Sequence, residues 1–294
     1  MRTLSTGCSP YLPNGQKNKQ GVLLLVHNIL RKYGIRGGDH DQHFLVDERI
    51  LDRIVDAADI QPHETILEIG AGIGNLTERL MKLAGKVVAI ERDPVLVDVL
   101  LDRFGENDKL EIIAGDVLEV EFPPFDKIVS NLPYSISSEI TFKLFRHEFE
   151  LGILMYQYEF AQRMVAHANS GDYSRLSVNT YYFADTSIIM EIPRSAFSPP
   201  PEVLSAVVKV KPRPSPFKVD DRKYYLDFVT AVFGQRRKKI RNSIIRSKQL
   251  LGIDDIKEFI GKLPTEMLDK RPENLKPEEL AHLANLLYRR RQRG

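Results

Sequence analysis

Between residues 65 and 145, short runs rich in isoleucine and valine alternate with stretches of helical periodicity. The expected strands are Thr65–Ile69, Lys86–Ile90, Leu110–Ala114 and Lys127–Ser130. The expected helices between and after them are Asn75–Leu83, Pro94–Phe104 and Ser137–Phe145. Such alternation predicts an α/β fold, a Rossmann-like, doubly wound parallel sheet with helices on its faces. Later apolar runs that can complete the sheet are Leu151–Tyr156, Ser187–Ile192 and Ala206–Val210.

The segment from Lys211 to Phe217 contains three prolines in seven residues and cannot continue a strand or a helix. It predicts a boundary between a sheet domain at residues 21–212 and a small helical domain at residues 213–294. Residues 1–20 are polar and lack periodicity, so we expect a disordered leader. From Val219 onward, 18 Lys and Arg stand against 11 Asp and Glu. This basic C-terminal domain predicts a polyanionic partner.

Several classes of protein are not favoured by the composition. The apolar run from Val22 to Val26 is too short for a membrane-spanning helix or a signal peptide. The single cysteine, Cys8, cannot form an internal disulfide, which fits a reducing cytoplasm. His40 and His43 are the only close pair of histidines, and we expect no metal site. The sequence therefore predicts a cytoplasmic protein, which we expect to be a monomer.

A glycine loop, Glu68-Ile-Gly70-Ala-Gly72-Ile-Gly74-Asn75, follows the first strand. Glycines there let the backbone approach a ligand closely. A nicotinamide-dinucleotide fingerprint would need glycine in place of Asn75, so a dehydrogenase is not favoured. Glu91, after the second strand, can accept hydrogen bonds from ribose hydroxyls, and Asp116, after the third, from an adenine amino group. The ordered set predicts a nucleoside site at the carboxyl edge of the sheet.

The fourth strand leads into Asn131-Leu132-Pro133-Tyr134. The amino nitrogen of adenine is a weak nucleophile because its lone pair is delocalised into the ring. The side-chain oxygen of Asn131 and the carbonyl of Leu132 can accept its two N–H groups and free the lone pair. Pro133 stiffens the turn, and Tyr134 offers a face on which an extruded base can stack. With an activated sulfonium methyl as donor, in-line positioning supplies most of the acceleration.

Several motifs in the same order resemble the ribosomal RNA adenine dimethyltransferases, the KsgA-type small-subunit enzymes and their archaeal and eukaryotic relatives. The resemblance covers roughly His40 to Ser247. The motifs that carry it are Asp41-Gln-His-Phe-Leu-Val-Asp47, Glu68-Ile-Gly-Ala-Gly-Ile-Gly-Asn-Leu-Thr77, Glu91, Gly115-Asp116, Asn131-Leu-Pro-Tyr134, Phe197-Ser-Pro-Pro-Pro-Glu-Val203 and Gln235-Arg-Arg-Lys-Lys-Ile-Arg-Asn-Ser243.

The resemblance implies a cofactor, a substrate and a set of site residues. The cofactor is S-adenosyl-L-methionine, and the residues expected to contact it are His43, Leu45, Gly70, Gly72, Glu91, Asp116 and Asn131. Tyr134 and Phe197 would bracket the target adenine. The usual reaction of the family converts two adjacent adenosines near the 3′ end of small-subunit rRNA to N6,N6-dimethyladenosine. Family members commonly carry Gly-Gln-Asn-Phe where this chain has Asp41-Gln-His-Phe44, so His43 departs from the pattern.

Five cations fall within six residues of the C-terminal domain: Arg236, Arg237, Lys238, Lys239 and Arg241. We expect them to contact rRNA phosphates in the immature small subunit, although a charge run is more often a solvated helix face. The closing Tyr288-Arg-Arg-Arg-Gln-Arg293 could add affinity. Two alternatives stay open at this point. One is a ribosome-assembly checkpoint factor whose binding matters more than its catalysis. The other is a DNA adenine methyltransferase, because the chemistry of Asn131 is indifferent to the sugar.

Overall fold

The computed structural model describes residues 19–36 and 42–293, with no side chains described for residues 19–22. Cys8, His40, Asp41 and residues 1–18 of the expected leader lie outside the described residues. Lys19 and Gln20, which the sequence analysis assigned to the leader, begin helix α1 at Lys19–Lys32.

The described residues contain nine strands. They are β1 (Phe44–Leu45), β2 (Thr65–Ile69), β3 (Lys86–Glu91), β4 (Leu110–Ala114), β5 (Lys127–Asn131), β6 (Leu151–Gln157), β7 (Ala184–Ile192), β8 (Phe197–Ser198) and β9 (Ser205–Pro212). Seven of them form one sheet in the order β4-β3-β2-β5-β6-β9-β7. Strands β2 to β6 pair in parallel, whereas β9 runs antiparallel to both β6 and β7. Strands β1 and β8 form a separate antiparallel pair.

Helices lie between the strands and fill the C-terminal region. After α1 they are α2 (Glu48–Ala58), α3 (Thr77–Leu83), α4 (Pro94–Phe104), α5 (Ser137–Leu144), α6 (Tyr158–Val165), α7 (Arg175–Phe183), α8 (Arg222–Phe233), α9 (Ile240–Arg246), α10 (Lys248–Leu251), α11 (Ile256–Phe259), α12 (Thr265–Leu268) and α13 (Pro277–Arg291). Helix α4 shows why such segments start where they do. Asp93 caps its first turn by accepting the N–H of Val95, and Pro94 occupies the first helical position.

The central strands are buried on both faces, as parallel strands covered by helices must be. Side chains of β2 alternate between two buried clusters. Ile66 belongs to a cluster that includes α2 and α3, whereas Leu67 and Ile69 belong to one that includes α5. The sheet is therefore the middle layer between two layers of helices. The predicted fold class, a Rossmann-like α/β sheet followed by a small helical region, is confirmed.

Helix α7 lies between the sheet and the C-terminal helices. Its Leu176 belongs to a cluster under the sheet. Val178 and Tyr182 of the same helix, and Tyr173 just before it, belong to the cluster built from helices α8 to α13. The helices that follow residue 212 therefore complete their core with residues that precede it.

Helices α6 and α7 have no counterpart among the sequence predictions. In α7 the polar residues Ser177, Asn179 and Thr180 are buried together with the apolar ones. A helix that is covered on most sides has no polar stripe, so its sequence lacks the period that marks a surface helix. Strand β7 likewise begins at Ala184, whereas the predicted run begins three residues later, at Ser187.

Candidate functional site

The order of the sheet reverses between β2 and β5. The chain leaves β2 towards β3 on one side and leaves β5 towards β6 on the other. A crevice outside the carboxyl ends of the strands forms at such a point and is where ligands bind in open α/β sheets. A cavity of about 510 Å³ opens there. All the predicted cofactor and catalytic residues but one line its wall. Those that do are His43, Leu45, Gly70, Gly72, Glu91, Asp116, Asn131, Leu132, Pro133 and Tyr134.

The glycine loop wraps one side of this cavity and requires glycine for steric reasons. Gly70 has φ +72° and Gly74 has φ +82°, a region that other L-residues rarely adopt. A Cβ atom on Gly74 would also lie 2.6 Å from the ring of Phe104. Asn75, which departs from the dinucleotide fingerprint, has a structural role that the sequence did not reveal. Its Nδ2 donates to the carbonyl of Leu45 at 2.9 Å and so ties the loop to β1.

The carboxylate of Glu91 lies at the tip of β3, where its side chain is 7% exposed. It accepts the backbone N–H groups of Gly72 at 2.8 Å, Arg92 at 2.8 Å and Asp93 at 3.0 Å. Burial raises the pKa of Glu91, and these three bonds oppose the shift by stabilising the charged form. A carboxylate has about four acceptor positions, so this one can still accept a bond from a ligand hydroxyl.

A second acid, Glu68, also lines the cavity and is only 2% exposed. The hydroxyl of Thr77 donates to its Oε2 at 2.6 Å. Burial raises the pKa of Glu68 to about 8, because removing a carboxylate from water penalises its charged form. Glu68 is therefore largely protonated at neutral pH. In the sequence, Glu68 stands out only as the first residue of the glycine motif.

Asp116 closes the opposite side of the cavity from the loop after β4. Its Oδ1 accepts the N–H of Leu118 at 2.9 Å. The ammonium group of Lys143 holds the same loop from α5, since it donates to the carbonyls of Val117 at 2.7 Å and Val120 at 2.5 Å. No motif drew attention to Lys143, because its carbonyl partners are 23 to 26 residues away in the sequence.

The Asn131–Tyr134 turn forms the floor next to β6. The Nδ2 of Asn131 donates to the carbonyl of His43 at 3.4 Å, which leaves Oδ1 as the acceptor of this amide. Leu132 is buried, and its N–H donates to the carbonyl of Met155 at 3.3 Å. The hydroxyl of Tyr134 lies 2.6 Å from the Oγ of Ser205 in β9. The turn is thus held from three sides.

His43 connects two predicted motifs. Its Nδ1 lies 3.0 Å from the carbonyl oxygen of Pro199, so Nδ1 carries the hydrogen that is donated. The proline segment after Phe197 is thereby fixed to the wall of the cavity.

Phe197 is the one predicted catalytic residue that does not line the cavity. It is 4% exposed and pairs with Leu45 in the register of β1 and β8. Its neighbours in the buried cluster include Val207 of β9. The structure therefore places Phe197 beside Leu45 in a buried cluster, and its contact with a target base stays a prediction.

The basic run of the C-terminal region divides into two groups. Three of its cations line a separate groove of about 560 Å³, here called the basic groove. It is formed by Arg237, Lys238, Lys239, Asn242, Asp269, Lys270, Arg271, Glu273 and Asn274. Arg236 and Arg241 do not line it. Sequence reasoning missed the second wall, Lys270 and Arg271, because it lies about 30 residues further along the chain.

Two of the closing arginines of α13 form ion pairs within the C-terminal region. Arg289 binds Asp220 at 2.6 Å, and Arg290 forms an ion pair with Asp255. Their charges are therefore already balanced by carboxylates.

Comparison with known proteins decides the family. The model of the ribosomal RNA adenine dimethylase family matches residues 38–267. The chain belongs to this family. Membership makes it a methyltransferase that acts on adenine in ribosomal RNA, as the sequence motifs predicted.

Relatives within the family are close. A probable ribosomal RNA small subunit methyltransferase A of Methanococcoides burtonii is 66% identical over 267 residues, which span 91% of this chain and 99% of the relative. The counterpart in Halobacterium salinarum is 43% identical over 88% of this chain and 93% of its own length.

Solved structures agree with this assignment. A dimethyladenosine transferase from Plasmodium falciparum has a TM-score of 0.71 at 32% identity and covers 84% of this chain and 97% of its own. The 23S rRNA methyltransferase ErmE has a TM-score of 0.62 at 26% identity, over 83% of this chain and 99% of its own.

Neither a membrane-spanning helix nor a metal-binding cluster occurs among the described residues. Within residues 19–36 and 42–293, no helix has the length and apolar character needed to cross a membrane. The same residues contain no group of three or more His, Cys, Asp or Glu side chains arranged to hold a metal ion.

Proposed function

We propose that the protein transfers methyl groups from S-adenosyl-L-methionine to N6 of two adjacent adenosines near the 3′ end of small-subunit rRNA during ribosome biogenesis. One observation carries the proposal. The Asn131–Tyr134 turn lines the same cavity as Glu91 and Asp116, at the point where the order of the sheet reverses. The names of the archaeal relatives support the small subunit as the source of the RNA.

The groups in the cavity fit this cofactor. When bound, S-adenosyl-L-methionine supplies a methyl group activated by its sulfonium sulfur. The buried carboxylate of Glu91 suits a ribose diol, because hydroxyls donate to an acceptor already fixed by backbone N–H groups. Asp116 suits an adenine amino group. The positive-φ glycines Gly70 and Gly72 let backbone approach the ligand without side chains in the way. His43 and Leu45 would complete the wall.

The chain's contribution to methyl transfer is positioning. Asn131 Oδ1 and the carbonyl of Leu132 would accept the two N–H groups of the target amine and orient its lone pair towards the methyl carbon. Tyr134 would stack on the extruded base, with its ring held by Ser205. Transfer would break the bond between the methyl carbon and the sulfonium sulfur, which would leave as a neutral thioether. The methylated nitrogen would then carry a positive charge and lose a proton to water without a strong base. A donor and an acceptor held in line account for most of the acceleration.

The basic groove supplies the grip on RNA. Its five cations outnumber its two carboxylates. Lys239, Lys270 and Arg271 form exposed ion pairs with carboxylates, whereas within the described part of the chain Arg237 and Lys238 form none. Cations of this kind release condensed counterions when they meet phosphates and bind RNA without reading its sequence. We propose that Arg237, Lys238, Lys239, Lys270 and Arg271 contact phosphates of the immature small subunit. This substrate also supports the expected cytoplasmic location.

The decisive experiment offers radiolabelled S-adenosyl-L-methionine and immature small subunits to the purified protein. The RNA is then digested to nucleosides, and the labelled species is identified. We expect label in N6,N6-dimethyladenosine, and none with the Asn131→Ala variant. Duplex DNA of matched adenine content serves as the competing substrate. Absence of label despite cofactor binding would refute methylation of this substrate and favour the checkpoint interpretation. Transfer to DNA in preference to the subunit would refute the RNA substrate.

A further inference from the structure

We infer that Arg236 is a positioning residue that fastens the basic groove to the sheet domain, and that it does not contact phosphate. The inference rests on the proposed function, since it assigns a role in methylation of rRNA. It separates Arg236 from its neighbour Arg237, although both belong to the same basic run.

The guanidinium of Arg236 is already engaged on two edges. Its Nε donates to Oε2 of Glu273 at 2.7 Å, and its Nη2 donates to the carbonyl of Gly171 at 2.6 Å. The side chain is 37% exposed. A planar guanidinium that binds a carboxylate and a carbonyl at these distances is held in one orientation. Arg237 is exposed and has no such partners among the described residues.

Gly171 belongs to the loop between α6 and α7, and this loop is bonded to the groove at several further points. The N–H of Asn169 donates to the carbonyl of Glu273 at 2.8 Å. The Nδ2 of Asn274 donates to Oδ1 of Asn169 at 3.0 Å. Asn169 adopts φ +72°, a conformation that asparagine tolerates better than most residues. Arg236 contributes a charged side chain to this set, and it reaches the loop from the position next to Arg237 of the groove.

The loop continues directly to the methyl-transfer site. Helix α6, which leads into it, begins at Tyr158 immediately after β6. The N–H of Tyr158 donates to the carbonyl of Leu204, next to Ser205. Three residues before Tyr158, Met155 of β6 pairs with Asn131 of β5. A displacement of the loop would therefore change the angle at which RNA held in the groove reaches Asn131.

The two possible roles of Arg236 predict opposite effects at Glu273. If Arg236 bound phosphate, Glu273→Gln would release it and remove a negative charge from the groove. RNA binding and methylation would then improve. If Arg236 positions the loop, Glu273→Gln removes the charge that strengthens the same link, although an acceptor oxygen remains, and methylation falls in both variants.

The test makes two measurements on each variant: affinity for the immature subunit at several salt concentrations, and the rate of single-turnover methylation. The variants are Arg236→Gln, Arg236→Lys, Glu273→Gln and the double variant Arg236→Gln/Glu273→Gln. Arg237→Gln is the phosphate-contact comparison. Lys248→Gln, an exposed cation in the same region outside the groove, is the matched control. Cofactor affinity and thermal unfolding confirm that each variant is folded.

We expect methylation to fall by about tenfold in Arg236→Gln and Glu273→Gln, with no further loss in the double variant. Arg236→Lys should not restore the rate, because an ammonium cannot bind both partners in one plane. The salt slope should match the Lys248→Gln control, whereas Arg237→Gln should lower it by about 0.7 to 0.9.

Two results would overturn the inference: a salt slope lowered in Arg236→Gln as in Arg237→Gln, or faster methylation in Glu273→Gln. A wild-type protein that leaves the subunits unmethylated would refute the proposed function instead. The salt dependence of subunit binding would still test Arg236 in that case, so the two failures are distinguishable.

Discussion

The phenol of Tyr134 is fastened to Ser205, with 2.6 Å between the two oxygens, although 71 residues separate them in the sequence. Ser205 is fully buried at the start of β9, next to the end of β6. An aromatic ring that must stack on a flipped base has to keep one orientation while the base enters. The bond to Ser205 fixes the hydroxyl end of the ring.

Ser205→Ala tests this relationship. The substitution removes the hydrogen bond between Ser205 and the Tyr134 hydroxyl and weakens the fixation of the ring, so single-turnover methylation should fall by about tenfold. Tyr134→Phe should show a loss of similar size, and the double variant should lose no more than either single variant. Cofactor affinity is the control and should be unchanged. Additive losses would show that the two groups act separately.

Asn131→Ala removes the side-chain acceptor proposed to orient the amine. We expect methylation to fall by about 100-fold or more, the size of effect seen when one preorganised hydrogen-bonding group is removed from a reacting centre. Cofactor affinity, measured by calorimetry, should stay within several-fold. Asn131→Asp keeps an acceptor oxygen and is the matched comparison. Methylation retained in the alanine variant would contradict the assigned role.

The buried acid Glu68 predicts a pH dependence of stability. Its pKa in the folded state is raised to about 8, whereas the ordinary value of a glutamate side chain is 4.5. Between these values the folded protein retains a proton that the unfolded chain has lost. The contribution of Glu68 to the free energy of unfolding is therefore fully present below about pH 4.5. It falls as the pH rises towards 8, by at most about 1.4 kcal/mol per pH unit.

Glu68→Gln removes this titration while keeping an oxygen that can accept from Thr77. The free energy of unfolding of the variant, measured with urea between pH 5 and 8, should fall less steeply than that of the wild type. The difference between the two curves isolates Glu68 from Glu91, whose pKa is also raised by burial. Parallel curves would show that Glu68 is ionised in the folded protein.

Lys143 predicts an effect on cofactor binding from outside the cavity. Its ammonium group holds the carbonyls of Val117 and Val120 and thereby the loop that carries Asp116. Lys143→Met keeps the length of the side chain and removes its donors, so the dissociation constant for S-adenosyl-L-methionine should rise by about tenfold. Lys143→Arg should recover part of the loss. An unchanged constant in the methionine variant would show that the loop is held by other contacts.

Local chemistry was readable from the sequence because it depends on short-range patterns. Strand β2, strand β4 and helix α4 have the bounds that their periodicity predicts. The residues that line the cavity follow consecutive strands, and the parallel topology brings the ends of those strands together at one edge.

What the sequence could not reveal are contacts between segments that only the folded chain brings together. Asn75 reaches Leu45 over 30 residues, and Arg236 reaches Gly171 over 65. A run of cations in the sequence does not indicate which member binds a carboxylate and a carbonyl in the folded chain. Phe197 shows the same limit, because its motif is local but its buried position beside Leu45 depends on the pairing of β1 with β8.

Helix α7 packs against both the sheet and the C-terminal helices, with Leu176 on the sheet side and Val178 and Tyr182 on the other. The folding of the two regions is therefore coupled. A protein truncated after Pro212 would expose Tyr173, Val178 and Tyr182 as an apolar face that nothing covers. Such a fragment would be prone to self-association rather than an independent enzyme. Any effort to produce the methyltransferase sheet alone would have to redesign this face first.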